Sequence, residues 1–534
     1  MVFSAIEIIL LLLFFTTLGA SFASRFQLPT EAVLLLGSLS ISLIPSLPRV
    51  QLVPEIVFLV FLPPILFAAA FFTDWREFKF NLRPISLLSI GLVLFTTVFV
   101  AVVLKYLIPE MGWAPAFALG AIVSPSDASA ATAIVKKLGI PHRLSSIVEG
   151  ESLVNDATAL VCYRFAVRAI FTGSFSFTEA LGRLIWVASG GAIVGTAIGL
   201  AGIWIQQKMK ESKAETVLSF LTAYGCYIVG EHLDVSGVIS TVVGGLVFGK
   251  WQPKLASTST RVLSRATWQI ALFIINGLVF TLIGLQLQSV LGGLREEDYS
   301  TLDLAKYALV IGFVVIALRL FWVFPESYLP RWLSASLRKR DPTPSWKQLV
   351  ILGWTGMRGI VSLAAALSLP EHLPSGEIFE YRNLLIFLTY SVILITLLLP
   401  ALTLPLLIRS MGVAIEKEDF KEEALARMAL TRRSIECIRE LQSLNLFSRS
   451  LLEQFLTRLE HRVRSSSSHL RDEPFSELIQ EEHEIRRLTR ITLAAERAAL
   501  LDLRLKGTVH EEVFHRLSEE LDLEELRLKS ARVP

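Results

Sequence analysis

Long apolar runs with almost no charge are the feature that most limits what this 534-residue chain can fold into. Residues 383–408, for example, read NLLIFLTYSVILITLLLPALTLPLLI and contain no charged side chain. Because the hydrocarbon core of a bilayer is about 30 Å thick, such a run is long enough for a transmembrane helix. Only 19% of all residues are charged, and nearly half of these follow residue 411, in less than a quarter of the chain. The sequence therefore predicts an all-α polytopic membrane protein with a soluble tail.

Turn residues and charges divide the apolar part into about thirteen segments, several of which are short for a bilayer core of about 30 Å, so some must be tilted or partly buried in protein. The segments are 3–23, 30–46, 53–72, 84–108, 113–136, 143–171, 181–206, 215–232, 235–250, 266–290, 304–325, 346–369 and 383–408. We expect a transmembrane domain over 1–410 and a further domain over 411–534.

Lysines and arginines alternate between the loops in a way that orients the chain. With the N-terminus outside, the basic side chains of the inside loops are Arg25, Arg76, Lys79, Arg83, Lys136, Lys137, Arg143, Lys208, Lys210, Lys213, Lys250, Lys254, Arg261, Arg265, Arg331, Arg338, Lys339 and Arg340. The outside loops hold little beyond Arg49, Arg295 and Arg382. Because basic loops stay in the cytoplasm, we expect an integral protein of the bacterial plasma membrane, with its N-terminus outside and its C-terminus inside.

The tail over 411–534 alternates Glu and Arg with Leu at helical spacing, as in LSEELDLEELRLK. This pattern is typical of amphipathic helices that pack against one another. We expect a small cytoplasmic helical domain, with the SSSSH stretch at 465–469 as a linker inside it.

Two of the apolar segments contain residues that interrupt a helix. The fifth carries SPSD at 124–127, and the twelfth carries GWTGMRG at 353–359. Segments 1–6 and 8–13 form two sets of six that begin on opposite sides of the membrane, and each interruption lies in the fifth member of its set. Paired interruptions at corresponding places indicate the binding site of a transporter built from inverted repeats.

The sixth segment contains the polar stretch EGESLVND at 149–156. On a helix, Glu149, Ser152 and Asp156 share one face, while Glu151 and Asn155 share an adjoining one. Asp156 lies near the middle of the segment, where a charge costs about 2.5–3.5 kcal/mol even on insertion scales. Intramembrane carboxylates of this kind are candidates for binding ions or protons.

Asp127 on the interrupted fifth segment adds a second carboxylate. Together with the hydroxyl and amide oxygens of Ser126, Ser152 and Asn155, the two carboxylates provide the hard oxygen ligands that a small alkali cation needs. Because no histidine lies in mid-membrane and Cys162, Cys226 and Cys437 are scattered, a transition metal is not expected.

Arg358, in the twelfth segment, needs a partner at similar depth. Glu151 is the best candidate, since it lies off the Asp156 face. Alternatively, Arg358 neutralises the ends of the interrupted helices, and both can hold together. Glu149 lies either at the cytoplasmic mouth or on an entry route.

The motifs SPSD, EGESLVND and GMRGIVSLAAALSLP, in this order and spacing, resemble those of the NhaP/NHE-type monovalent cation/proton antiporters. The resemblance covers the membrane part, including NGLVFTLIGLQL at 276–287. It implies a NhaA-like inverted-repeat fold of thirteen helices, two of them discontinuous, and a homodimer.

The resemblance also implies roles for individual residues. Asp156 would bind the cation and the proton, with Asn155, Ser126, Asp127 and Ser152 as further cation-binding residues. A structural ion pair would join Glu151 to Arg358. Many relatives have an acidic residue where this chain has Ala68, so an extra carboxylate is missing here.

These residues imply a secondary antiporter in which Na⁺ or Li⁺ and H⁺ compete for Asp156, rather than an enzyme, and no cofactor or nucleic-acid partner is expected. Because Asn155 replaces a second aspartate of electrogenic relatives, the resemblance implies one-for-one, electroneutral exchange. A K⁺/H⁺ antiporter is the alternative, because these ligands do not separate Na⁺ from K⁺. A cation channel is a less favoured alternative. A hydrolase using the GES serine lacks the second glycine of GxSxG and a membrane histidine.

Overall fold

The structure is a computed structural model, and it forms two compact units, Met1–Ala414 and Ile415–Pro534. It describes the whole chain apart from 1, 27, 45–52, 128–130, 133, 136–139, 174–176, 295–298, 342, 374–375, 414–416, 444–447, 469–476, 507–510 and 531–534. Within the described residues there is no β-strand, only two isolated bridges. The protein is therefore predominantly helical, as expected.

Among the described residues, seventeen helices lie in the first unit. They are α1 (Val2–Arg25), α2 (Thr30–Ser42), α3 (Pro54–Phe72), α4 (Trp75–Phe80), α5 (Leu82–Leu107), α6 (Trp113–Val123), α7 (His142–Thr172), α8 (Phe177–Lys208), α9 (Ser212–His232), α10 (Gly237–Leu255), α11 (Thr258–Leu285), α12 (Leu287–Leu294), α13 (Thr301–Leu333), α14 (Ala335–Arg340), α15 (Trp346–Trp354), α16 (Ile360–Leu367) and α17 (Arg382–Met411).

Seven described helical stretches are long and apolar enough to cross a membrane: Glu7–Arg25, Pro54–Phe72, Leu82–Leu107, Gly182–Lys208, Thr258–Leu294, Thr301–Leu333 and Arg382–Met411. Their exposed faces carry many large apolar side chains, such as Leu11, Trp186 and Phe313. In water these faces would be unfavourable, whereas lipid tails solvate them. The protein is therefore an integral membrane protein.

Both predicted interruptions are present. Helix α6 ends at Val123, and Ser124–Asp127 are not helical. Pro125 lacks the N–H group that would continue the ladder of helical hydrogen bonds. In the twelfth segment, α15 ends at Trp354 and α16 begins at Ile360, so 355–359 form the second gap.

Helices α8 and α10 approach each other closely along a row of glycines. A β-carbon added at Gly191 or Gly195 would overlap the backbone carbonyl of Ser236 or Ser240. Glycine lets two helix backbones come into contact because it has no side chain. The partner of the GAIVGTAIG stretch, which the sequence left open, is therefore α10.

Three arginines from distant helices meet at one aspartate. The Asp341 carboxylate accepts hydrogen bonds from Arg83 at 3.1 Å, Arg143 at 2.6 Å and Arg331 at 2.8 Å. These arginines belong to α5, α7 and α13. The ends of these three helices are therefore held together at one side of the unit.

The second unit consists of α18 (Lys417–Ser443), α19 (Arg449–Ser468), α20 (Glu477–Leu505) and α21 (Glu511–Ser530). Arg497 of α20 forms ion pairs with Asp522 and Glu525 of α21. Pairs this exposed contribute about 0–1 kcal/mol each, so apolar packing matters more. The expected linker at 465–469 is wrong for 465–468, which form the last turn of α19, and 469 lies outside the described residues.

Candidate cation site at the crossing of two interrupted helices

The two gaps meet and are joined by backbone. The N–H of Asp127 donates a hydrogen bond to the carbonyl oxygen of Met357 at 2.7 Å, and the two residues form an antiparallel bridge. A β-carbon at Gly359 would overlap the Asp127 carboxylate. The crossing therefore satisfies backbone groups that helices would otherwise satisfy, and it requires glycine at 359.

A small cavity of about 50 Å³ lies beside this crossing. Its lining includes the polar side chains of Asp127, from the gap, and of Ser152 and Asp156, from α7. Ser152 and Asp156 are four residues apart on α7, so they share the face that the sequence predicts. A single water molecule needs a cavity of about 10–15 Å³, so this one is large enough for a small cation.

The chemistry of these groups suits an alkali cation. Carboxylate and hydroxyl oxygens are hard ligands, which bind cations such as Na⁺ in preference to soft transition metals. Within the described part of the chain, no cluster of three or more His, Cys, Asp or Glu side chains could hold a metal ion. Asp156 is buried, with 8% of its surface exposed, so its charge must be balanced by an ion, a proton or a neighbour.

A buried ion pair lies behind the cavity, between Glu151 of α7 and Arg319 of α13. Arg319 donates through Nη1 to Oε1 of Glu151, and through Nη2 to Oε2 at 2.8 Å. Both side chains are only 2% exposed. Removing one partner of such a pair leaves an uncompensated charge and costs about 3–5 kcal/mol, so the pair fixes α13 against α7.

Ser126 and Asn155 belong to the same network. The Ser126 hydroxyl donates to Glu151 Oε1 at 2.7 Å. The Asn155 amide donates to the Ser126 carbonyl oxygen at 3.0 Å and to its hydroxyl oxygen at 2.9 Å. These two side chains are not among the residues that line the cavity. The Oδ1 atom of Asn155 is buried and has no hydrogen-bond partner in the protein, so the expected role of this oxygen as a cation ligand stays a prediction.

The expected ion pair between Glu151 and Arg358 requires correction. Arg358 donates to the carbonyl oxygen of Val123 at 3.1 Å and to that of Gly356. Val123 is the last residue of α6, where the helix dipole concentrates negative partial charge. The alternative role of Arg358, neutralisation of the helix ends, is therefore the arrangement found.

Arg319 belongs to the buried network of the site, although the sequence motifs did not single it out. A signal for it is present, because it is the one charge within the apolar stretch ALVIGFVVIALRLFWVF at 308–324. An intramembrane cation requires a partner, and Glu151 is that partner. Arg319 displaces Arg358 from this role because Gly356 leaves room for it: a β-carbon at Gly356 would overlap the Arg319 side chain.

Glu149 and Ala68 both lie outside the lining of the cavity. Glu149 is half-buried and accepts a hydrogen bond from the Ser145 hydroxyl at 3.4 Å, one turn earlier on α7. Ala68 is buried in the aromatic cluster around Phe67 and Trp268, whereas its neighbour Ala69 lines the cavity.

Known proteins resemble this chain over most of its length. The family described as "Sodium/hydrogen exchanger, transmembrane" matches residues 9–409. An uncharacterized Na(+)/H(+) exchanger of Mycobacterium tuberculosis, Rv2287, is 31% identical over 512 residues, which is 96% of this chain and 94% of the relative. A "Sodium, potassium, lithium and rubidium/H(+) antiporter" of Bacillus pumilus is 33% identical, and the match covers 74% of this chain and 60% of the relative.

The fold has a counterpart among solved structures. The sodium proton antiporter MjNhaP1 of Methanocaldococcus jannaschii superposes with a TM-score of 0.56 at 20% identity. The match covers 77% of this chain and 99% of MjNhaP1. At this identity the likeness concerns the fold, while the family match over three quarters of the chain carries the assignment. The protein belongs to the sodium/hydrogen exchanger family of cation/proton antiporters.

Proposed function

We propose that this protein is a secondary antiporter that exchanges Na⁺ or Li⁺ for H⁺ at Asp156. The observation that carries the proposal is the cavity in which Asp156, Asp127 and Ser152 meet beside two crossed helix gaps. Deprotonated Asp156 binds the cation together with its neighbours, and protonated Asp156 does not. Since the two ions compete for one carboxylate, a protein that reorients only when this carboxylate is occupied couples their gradients.

The charges around the cavity support one-for-one exchange. Arg319 and Arg358 balance Glu151 and one of the two aspartates, Asp127 and Asp156, so one negative charge is left over. A single Na⁺ or a single H⁺ neutralises it, and the site returns to the same net charge with either occupant. Electroneutral exchange follows, because the occupied site then carries no net charge across the membrane potential.

The membrane arrangement that we propose is the thirteen-segment inverted repeat, with the N-terminus outside, in a bacterial plasma membrane. The shorter helices, such as α2 and α6, then join the seven long apolar stretches as spans. The meeting of Arg83, Arg143 and Arg331 at Asp341 supports this loop assignment, since it requires all three on the same side. By the family resemblance we also propose a homodimer, and a cytoplasmic position for 411–534.

Exchange of K⁺ for H⁺ is the second candidate. The Bacillus pumilus relative is named for sodium, potassium, lithium and rubidium, so members of this family accept several alkali cations. A channel and a hydrolase have less support. The cavity is small and lies at crossed gaps typical of alternating access, and no described histidine lines it beside Ser152.

The test uses purified full-length protein in liposomes that contain a pH-sensitive dye. Na⁺, Li⁺ and K⁺ are added in turn, and we expect proton movement with Na⁺ and Li⁺. Asp156→Asn should abolish it, because the amide can neither bind a proton nor carry a charge for the cation. Asp303→Asn, an exposed carboxylate at the start of α13, is the matched control and should exchange normally. Normal exchange by Asp156→Asn would overturn the proposal.

A further inference from the structure

The cavity beside Asp156 has a second wall, and that wall is almost entirely apolar. Helix α3 contributes Leu62, Ile65, Leu66 and Ala69, and α11 contributes Asn276, Val279 and Phe280. A cation held by Asp127, Ser152 and Asp156 would face hydrocarbon on this side. Among the described residues of this wall, Asn276 has the one polar side chain.

Asn276 is carried by a helix that is packed tightly against other helices. A β-carbon at Gly277 would overlap the side chain of Thr16 on α1, and one at Gly284 would overlap Ser38 on α2. Helix α11 therefore has little freedom to withdraw from α1 and α2. This packing keeps Asn276 opposite the carboxylates.

Ser362 of α16 is the other polar group of the cavity that the proposed ligand set does not use. The residue is 1% exposed, and its hydroxyl has no hydrogen-bond partner. Serine in a helix usually donates to a carbonyl one turn earlier, as Ser368 does to Ala365. Ser362 is the third residue of α16, so the preceding turn is the non-helical gap and offers no such carbonyl. A buried hydroxyl without a partner destabilises the protein unless a ligand or water satisfies it.

We propose that Asn276 and Ser362 are specificity-determining ligands, whose side-chain oxygens complete the shell of a dehydrated alkali cation bound at Asp156. The inference rests on the proposed function and extends its ligand set to the opposite wall. Both groups are neutral, so they adjust the fit to Na⁺, Li⁺ or K⁺ without altering the charge balance of exchange. A cation that loses its water needs oxygens on both sides, and Asn276 supplies the one on the side of α3 and α11.

The variants are Asn276→Leu, which keeps the side-chain size, and Ser362→Ala. Each has a matched control outside the cavity. Thr281→Val lies on the same helix as Asn276, and its hydroxyl donates to Gly277 of that helix. Ser89→Ala removes a hydroxyl that, like that of Ser362, is buried without a partner. The comparison therefore separates a role in the cavity from the general effect of losing a polar atom.

Two measurements are made on the full-length protein. One is the concentration of Na⁺ that half-maximally raises the unfolding temperature in detergent. The other is the apparent KM for Na⁺, Li⁺ and K⁺ in liposomes. A lost neutral ligand of about 1 kcal/mol corresponds to about fivefold in affinity. For each variant we expect the half-saturating Na⁺ concentration and the apparent KM for Na⁺ to rise at least about fivefold. The ratio of the KM values for Na⁺ and K⁺ should change, and the maximal rate should stay within about twofold of wild type. Both controls should match the wild type.

Unchanged half-saturating Na⁺ and an unchanged Na⁺:K⁺ ratio in both variants would overturn the inference. So would a lower maximal rate at unchanged affinity, since that indicates only a structural role. If Asn276→Leu does not fold, Asn276→Ser and Ser362→Ala decide the question. Absence of proton movement in the wild type would count against the exchange function. The stabilisation by Na⁺ would still decide the ligand assignment in that case.

Discussion

At the scale of single residues, the site divides its polar groups between two tasks. Asp127, Ser152 and Asp156 line the cavity, whereas Ser126 and Asn155 bond to each other behind it. Ser126 and Asn155 donate hydrogen bonds to other groups of the protein. Asp127, Ser152 and Asp156 line the cavity. If the cavity-lining groups bind a cation as proposed, hydrogen bonds among their neighbours help to keep them at fixed positions.

The buried pair of Glu151 and Arg319 gives a first prediction. Arg319→Met and Glu151→Leu should each lower the free energy of unfolding by about 3–5 kcal/mol, because each leaves one buried charge without its partner. The double variant should recover most of this loss, since no isolated charge remains. Denaturant titration in detergent measures all three proteins.

Lys306→Met is the control for the arginine variant. Lys306 is exposed on the same helix, so its loss should change the stability by no more than about 0.5 kcal/mol. A double variant as unstable as the sum of the two single ones would contradict the assigned pairing.

At the scale of helices, glycines decide how closely the elements approach one another. Gly359 allows the gap before α16 to touch Asp127, and Gly195 allows α8 to touch α10. At Gly195 a β-carbon would meet the backbone carbonyl of Ser240, and at Gly359 it would meet the side chain of Asp127. Glycines therefore determine both how closely two helices pack and how closely the two gaps of the candidate site approach each other.

Gly359→Ala should separate the two gaps. Its β-carbon would overlap the Asp127 carboxylate, so we expect exchange to fall at least about tenfold, as displacements of about 1 Å at a site commonly cause. Proton movement in liposomes measures the effect. Gly292→Ala on α12 is the control, because its β-carbon would meet nothing within 4 Å, and it should exchange as the wild type does.

Gly195→Ala should loosen the contact of α8 with α10. The added methyl group would overlap the Ser240 carbonyl oxygen, and overpacking of this kind costs about 1–3 kcal/mol. We expect a lower unfolding temperature in detergent. Gly182→Ala, at an exposed position of the same helix with open space around it, should leave that temperature unchanged or raise it. Equal stability of the two variants would argue against the close packing.

At the scale of the whole molecule, the net charge of the occupied site determines whether the proposed exchange changes the membrane voltage. The helices that meet at the cavity come from distant parts of the chain, α3, α7, α11 and α16. The cavity between them is small, which agrees with the proposal that one cation or one proton occupies it at a time.

Electroneutral exchange predicts that a Na⁺ gradient changes the internal pH of protein-containing liposomes without a lasting change in membrane voltage. A voltage-sensitive dye, read in parallel with the pH dye, makes the measurement. Clamping the voltage at zero with valinomycin and K⁺ should leave the exchange rate unchanged. A sustained voltage that reverses sign with the Na⁺ gradient would show that more than one proton moves for each cation.

The sequence by itself determined the features that depend on neighbouring residues. The length of the apolar runs predicted the membrane helices, and Pro125 and the glycines of 353–359 predicted the two gaps. The spacing of four residues predicted that Ser152 and Asp156 share one face of their helix. Local backbone geometry controls all of these. The family motifs are likewise short and local, so they could be read without the fold.

Only the tertiary structure decided which distant groups meet. Glu151 and Arg319 are 168 residues apart, and nothing local distinguishes Arg319 from Arg358 as the partner. Glu151 pairs with Arg319 because Gly356 leaves space for the Arg319 side chain. Arg358 donates instead to the carbonyl oxygen of Val123, at the end of α6. The same holds for Ser126 and Asn155, which lie on different segments and are joined by a hydrogen bond from the Asn155 amide nitrogen to the Ser126 hydroxyl oxygen. Which side chains pair across helices depends on how the helices pack. The sequence of any one helix does not reveal that packing.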